Sequence, residues 1–144
     1  MKQIINGYWG GYFNSKITLD KTPEYFNYIT LAFVGPNPDS TLTTEFLCSK
    51  YSDKQIISWI KILQNRGQKV LVSIIDSQTT HWDQVDIPKF AQSCNDILIN
   101  QWGVDGFDID AESGMSNNYV SNFILLSTEL KKVLKKKILT YTCY

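Results

Sequence analysis

The chain is poor in the residues that build most special-purpose sites. It has one histidine, His81, and three cysteines, Cys48, Cys94 and Cys143, in 144 residues. An odd cysteine count with no Cys-x-x-Cys pair argues against a disulfide framework and against a zinc site. There is no excess charge of either sign: Lys+Arg and Asp+Glu both number 14. Without a net field to draw polyanions, nucleic-acid binding is not expected. No stretch approaches the roughly 18 apolar residues that a membrane span needs, so no membrane partner is expected. No Gly-x-Gly-x-x-Gly or P-loop is present, which removes the usual phosphate-binding fingerprints. The N-terminus, from Met1 to Trp9, has no signal-peptide pattern. The expected location is therefore cytoplasmic if Met1 is native, and secreted if a leader has been removed.

What remains is an ordinary globular composition, 43% hydrophobic and 19% charged, enough for a single domain over residues 1–144. Short apolar strands alternate with amphipathic helices. Residues 4–9 read as a first strand and Tyr28–Val34 as a second, rich in β-branched and aromatic side chains. The Gly35-Pro36-Asn37-Pro38 run ends the second as a loop. Ser52 and Gln55 form a Ser-x-x-Gln capping box that opens a helix, with Ile56, Trp59 or Ile60, and Leu63 as its buried stripe and Gly67 as its stop. Lys69–Ile75 is a third strand, apolar as parallel strands covered on both faces are. Pro88 suits the first turn of a second helix. Its stripe is Phe90 or Ala91, Cys94, Ile97 or Leu98, and Trp102, and Gly103 stops it. A third helix is expected over 118–136, with Val120, Phe123, Ile124, Ser127 and Leu130 on its inner side. Ile138–Tyr144 is the last strand. Strand–helix units spaced this closely predict a parallel α/β sheet, either doubly wound or a (β/α) barrel. In both, ligands bind at the C-terminal ends of the strands.

The fourth strand carries the most informative segment, Asp105-Gly106-Phe107-Asp108-Ile109-Asp110-Ala111-Glu112. A strand turns alternate side chains to opposite faces. Asp108, Asp110 and Glu112 therefore share one face, spread over roughly 13 Å. Phe107, Ile109 and Ala111 share the other. Three carboxylates in a row on a buried face are costly to desolvate together, and at least one proton is expected to be shared. Asp105 has the opposite parity and is read as structural. Two other readings of the row are a hydrogen-bonded polar strand end, and a site offering oxygen ligands to Mg²⁺ or Ca²⁺. No further ligand is visible elsewhere in the sequence, so no metal and no cofactor are expected. Tyr8 and Phe33, near strand ends, are candidate ligand-facing aromatics, as is Trp82 in the polar loop after the third strand. Trp9, of opposite parity to Tyr8, is expected to pack outward, and His81 to be a solvated loop residue.

The Asp105–Glu112 run resembles the Asp-Gly-x-Asp-x-Asp-x-Glu signature of glycoside hydrolase family 18, the chitinases and endo-N-acetylglucosaminidases. Gly7-Tyr8-Trp9-Gly10, Tyr28–Phe33 and Lys69–Ser73 resemble that family's first three strands. The resemblance implies a (β/α)-type TIM barrel truncated to about five strands, since the family barrel has eight. It implies a chitinase-like hydrolase acting on β-1,4-linked N-acetylglucosamine polymers. In such enzymes the substrate's own acetamido oxygen attacks the anomeric carbon. By the same resemblance Glu112 is the acid and then the base, Asp110 holds the acetamido N–H, and Asp108 lies deeper and tunes Asp110. Ile74-Ile75-Asp76 departs from the small residue and glycines that follow the family's third-strand serine. The family tyrosine and tryptophan of strands six to eight have no counterpart here. A half barrel has open edge strands, which suit pairing of two copies into a homodimer. The alternative to a hydrolase is a non-catalytic, lectin-like binder of chitin or N-glycans.

Overall fold

The computed structural model describes residues 3–12, 16–76, 80–111 and 118–143. Five strands lie parallel in spatial order β1-β2-β4-β5-β6. They are β1 (Asn6–Gly10), β2 (Tyr28–Pro36), β4 (Lys69–Ile74), β5 (Gly106–Ala111) and β6 (Ile138–Cys143). A short β3 (Leu42–Thr43), which the loop composition did not suggest, pairs antiparallel with the end of β2. Three helices lie against one face: α1 (Asp53–Asn65), α2 (Ile87–Cys94) and α3 (Tyr119–Leu134). This is the succession of β/α units expected of a truncated parallel barrel.

The local signals act as their chemistry predicts. Ser52 and Gln55 close a reciprocal capping box at the start of α1, satisfying N–H groups that the helix itself cannot. Ile56, Ile60 and Leu63 form the buried stripe of α1. Asp86 caps α2 through the Lys89 N–H, Pro88 stands in the first turn, and the helix runs on as a π-helical segment over Asn95–Gln101. Gly67 and Gly103 adopt positive φ where these helices stop, which glycine does at little cost.

The core lies between the helices and one face of the sheet. Trp9, Leu31, Val72, Phe107 and Ile109 alternate onto that face and are buried. Trp9 packs against Tyr51 and Trp59, so its outward placement is as expected. Cys94 is a buried core residue of α2. The stripe of α3 differs from expectation. Leu126, Leu130 and Leu134 are buried, whereas Val120 and Ile124 are 68% and 60% exposed. The helix is apolar nearly all round at its start, so composition did not identify the inner side. The i, i+4, i+8 leucine series forms the buried side instead.

The register between β4 and β5 positions everything that follows. Asp105, just before β5, accepts hydrogen bonds at Oδ2 from the Val70 N–H (3.0 Å) and from Gln64 (3.0 Å). Lys69 Nζ reaches its Oδ1 at 2.9 Å. Burial pushes this carboxyl up. The bonds from Lys69, Val70 and Gln64 outweigh it and hold the group below its ordinary value. The structural role expected of Asp105 is therefore a clamp on the start of β5. Gly106 follows under a separate constraint: a Cβ there would meet the Ile138 carbonyl oxygen of β6 at 2.0 Å. Only glycine lets the two strands approach that closely.

Candidate active site

The face of the sheet away from the helices carries polar residues at alternate positions. Ser73 pairs in register with Asp108, Asp108 with Thr140, and Asp110 with Thr142. Asp108 and Asp110 are 2% and 4% exposed, the most deeply buried acidic pair the sequence suggested. Asp108 has four hydroxyls within hydrogen-bond distance, drawn from two other strands and β1. At Oδ2 these come from Tyr8 (3.0 Å), Ser73 (2.9 Å) and Thr142 (3.2 Å), and at Oδ1 from Thr140 (2.6 Å). The Tyr8 and Thr142 hydroxyls also touch each other, joining the first strand of the sheet to the last across its concave face.

Burying a carboxylate without a partner costs several kcal/mol. Here hydroxyl donors meet that cost, and a carboxylate has room for about four such bonds. The bonds fix the orientation of Asp108. Tyr8 responds in turn: burial, and then the nearby Asp108 and Asp110 carboxylates, push its phenol up to about 12 against the opposing bond with Thr142. It is therefore a protonated donor throughout the neutral range. A hollow of ≈ 210 Å³ lies beside this cluster, lined by Asn6, Tyr8, Leu71, Asp108, Thr140 and Thr142 among others.

The remaining candidates separate. Phe33 lies at a bulge. Leu31 pairs with Val72 and Val34 with Ile74, so Ala32 and Phe33 together oppose the single residue Ser73. Such an extra residue re-aims a side chain, and the half-buried Phe33 ring stacks toward Tyr12 at 6.4 Å. Trp82 corrects an expectation. It is 5% exposed and packs edge-on against Phe90 of α2 at 5.4 Å, so it is a core residue with little ring face for a sugar. Composition put it in a polar loop, but a short 3-10 turn over Trp82–Gln84 folds it inward. His81 is exposed, with Nδ1 3.4 Å from Asp76. Glu112, the expected acid, lies outside the described residues.

Ser73, Thr140 and Thr142 were not singled out from the sequence. Ser73 carried a signal, as the lone polar residue in an otherwise apolar β4 interior. Thr140 and Thr142 carried the same period-two signal as the acids.

Residues 4–143 match the family described as Glycosyl hydrolases family 18. The chain belongs to that family. Its fold is that of solved chitinases. A family 18 chitinase from Chromobacterium violaceum superposes with TM-score 0.73 at 26% identity, covering 94% of this chain and 38% of that one. One from Pseudoalteromonas aurantia gives TM-score 0.72 at 23% identity, covering 96% and 55%. A Cycas revoluta family 18 chitinase mutant in complex with (GlcNAc)4 gives TM-score 0.76 at 20% identity, covering 96% and 45%. The chain thus spans between 38% and 55% of the length of these three structures, and its five parallel strands correspond to a half barrel. A comparison with curated proteins finds no match.

Proposed function

We propose that this chain carries the acid row of a chitinase-type glycoside hydrolase, cleaving β-1,4-linked N-acetylglucosamine polymers by substrate-assisted, retaining catalysis. The observation that carries the reading is Asp108, held by hydroxyls from four residues on β1, β4 and β6, with Asp110 buried one step along the same face.

In this reading Glu112 protonates the glycosidic oxygen as it leaves and then takes a proton from the attacking water. A carboxylic acid beside other carboxylates is suited to that exchange, because neighbouring negative charge favours its protonated form. Asp110 accepts from the acetamido N–H and steadies the positive charge that develops as the carbonyl oxygen closes on the anomeric carbon. No carboxylate of the protein attacks that carbon, so the reaction belongs to the substrate-assisted exception among glycosidases. Asp108 is the fixed end of the row. With its orientation set by Tyr8, Ser73, Thr140 and Thr142, it presents Asp110 with a carboxyl neighbour of fixed orientation. Tyr8, occupied with Asp108, serves the acids first and the sugar second.

Glu112→Gln tests the reading. Turnover of a fluorogenic chitooligosaccharide by the wild-type chain, lost by at least two orders of magnitude in the variant with oligosaccharide binding kept, is the expected result. Equal turnover in the two proteins refutes the role given to Glu112. A wild-type chain that binds chitooligosaccharide and never cleaves it establishes instead a lectin-like binder.

A further inference from the structure

Five lysines stand in the seven residues at and after the end of α3: Lys131, Lys132, Lys135, Lys136 and Lys137. Glu129 is the acid nearest them in sequence, and Lys132 Nζ bonds it at 2.6 Å. The chain as a whole has no net charge, so this run is a local concentration of positive charge. The hydrolytic chemistry proposed above makes no use of it. The acid row faces one side of the sheet, and the lysines end a helix on the other.

The negative end of the α3 dipole accounts for part of the run. Lys131 and Lys132 fall in the last turn, where cations suit the unpaired carbonyls. Lys135 lies past that turn, at φ 55° and ψ −101°, a left-handed backbone that favours glycine. The two preceding helical segments stop at Gly67 and Gly103, both at positive φ. α3 stops instead at a lysine and bears the strain that glycine would avoid, so ending the helix does not by itself call for this residue. A groove of ≈ 530 Å³ lies between the end of α3 and the α2–π-helical segment. It is lined by Lys132, Lys135 and Lys137 from one side and by Gln92, Asn95 and Asn100 from the other. Asp96, the acid on that second side, is engaged by the Gln92 and Asn95 amides, and Lys137 Nζ is anchored on the Val104 carbonyl at 2.7 Å.

We propose that this groove binds an anionic polysaccharide, a chain of sugars bearing carboxylate or sulfate groups, on the side of the molecule opposite the acid row. Ammonium groups attract the acidic substituents, and carboxamides exchange hydrogen bonds with the hydroxyls between them. Clustered lysines are a recurrent feature of heparin-type sites. Nucleic acid fits the same charge less well. The groove lining holds no arginine for bidentate phosphate contacts and no aromatic ring on which a base could stack. An uncharged N-acetylglucosamine polymer gives the lysines no counter-charge, so the groove takes a second polymer and stands apart from the substrate of the acid row.

Calorimetric titration of the 144-residue chain with a heparin octasaccharide, at low and at raised salt, tests it. The wild type should bind, more weakly as salt rises. Lys132→Gln combined with Lys135→Gln should lower the affinity by about tenfold, the effect of two surface charges. Lys54→Gln combined with Lys61→Gln removes the same charge from exposed positions of α1 and should bind as the wild type does. Lys135→Gly should raise the urea midpoint by relieving the strained backbone and still weaken binding. A wild-type chain that does not bind the octasaccharide overturns the proposal. Equal losses in the two double variants reduce the effect to unlocalised charge and overturn the groove. A DNA duplex bound as tightly as heparin overturns the polysaccharide class, and unchanged binding in Lys135→Gly overturns the part given to that residue.

Discussion

Asp105→Ala probes the part of the molecule on which the acid row depends. Asp105 lies outside the row, yet its carboxylate bonds the Val70 N–H while its own N–H bonds the Val70 carbonyl at 2.8 Å. Those two bonds set β5 against β4 at the pairing of Leu71 with Gly106. A slip by one residue would send Asp108 and Asp110 into the helix layer and Phe107 and Ile109 into the cleft. The loss can be apportioned by partner. Val70 is fully buried, and its orphaned N–H costs about 1–3 kcal/mol. Gln64 keeps its second bond, to the Gly103 carbonyl, so it adds little. Lys69 is half exposed, and its ion pair contributes about 0–1 kcal/mol. The sum is about 3 kcal/mol, which in a domain of this length lowers Tm by about 6–12 °C. The pH dependence carries a sign. The folded-state value of Asp105 lies below its ordinary one, so its stabilisation is present above the unfolded value near ~3.9 and disappears as pH falls through the folded value. Urea unfolding followed by circular dichroism at pH 7 and at stepwise lower pH should show the gap between wild type and Asp105→Ala closing as the solution is acidified. A gap under ~0.5 kcal/mol at pH 7, or one that widens on acidification, refutes the clamp.

Two further outcomes follow from other contacts. Gly106→Ala forces a Cβ against the Ile138 carbonyl oxygen; because the obstacle is backbone, the cost should reach about 3 kcal/mol or more, seen as a lowered urea midpoint or insoluble protein, and a wild-type midpoint counts against the close approach of β5 and β6. Burial, reinforced by Asp53, pushes the Cys48 thiol up to about 12, so at pH 8 it should react with a disulfide reagent far more slowly than a free thiol does, and rapid labelling of Cys48 in folded protein contradicts that environment.

The strands were legible because each is a short apolar or alternating run bounded by glycine, proline or a helix cap, and because parity alone separates Asp108 and Asp110 from Phe107 and Ile109. The same rule stops at the edge of its strand. It says that Tyr8, Ser73, Thr140 and Thr142 face one way, but not that the curve of the sheet brings a β1 phenol onto a carboxylate 100 residues later. The register shift at Ala32 and Phe33 escaped for a related reason: a bulge adds one residue without altering composition. α3 and Trp82 show the limit for packing. Where a helix is apolar on several sides, or a loop is polar around one large ring, the buried side is chosen by the neighbour that needs covering. For Trp82 that neighbour is Phe90, and α3 packs chiefly against α2 and buries Leu126, Leu130 and Leu134. The acid row escapes this ambiguity because a misplaced charge is costlier than a misplaced leucine. Asp108 buried among aliphatic groups would cost several kcal/mol, whereas Ile124 in water costs far less. Electrostatics therefore made the site legible before the packing around it, and the hydroxyls that make Asp108 tolerable could be identified only once the strands were placed side by side.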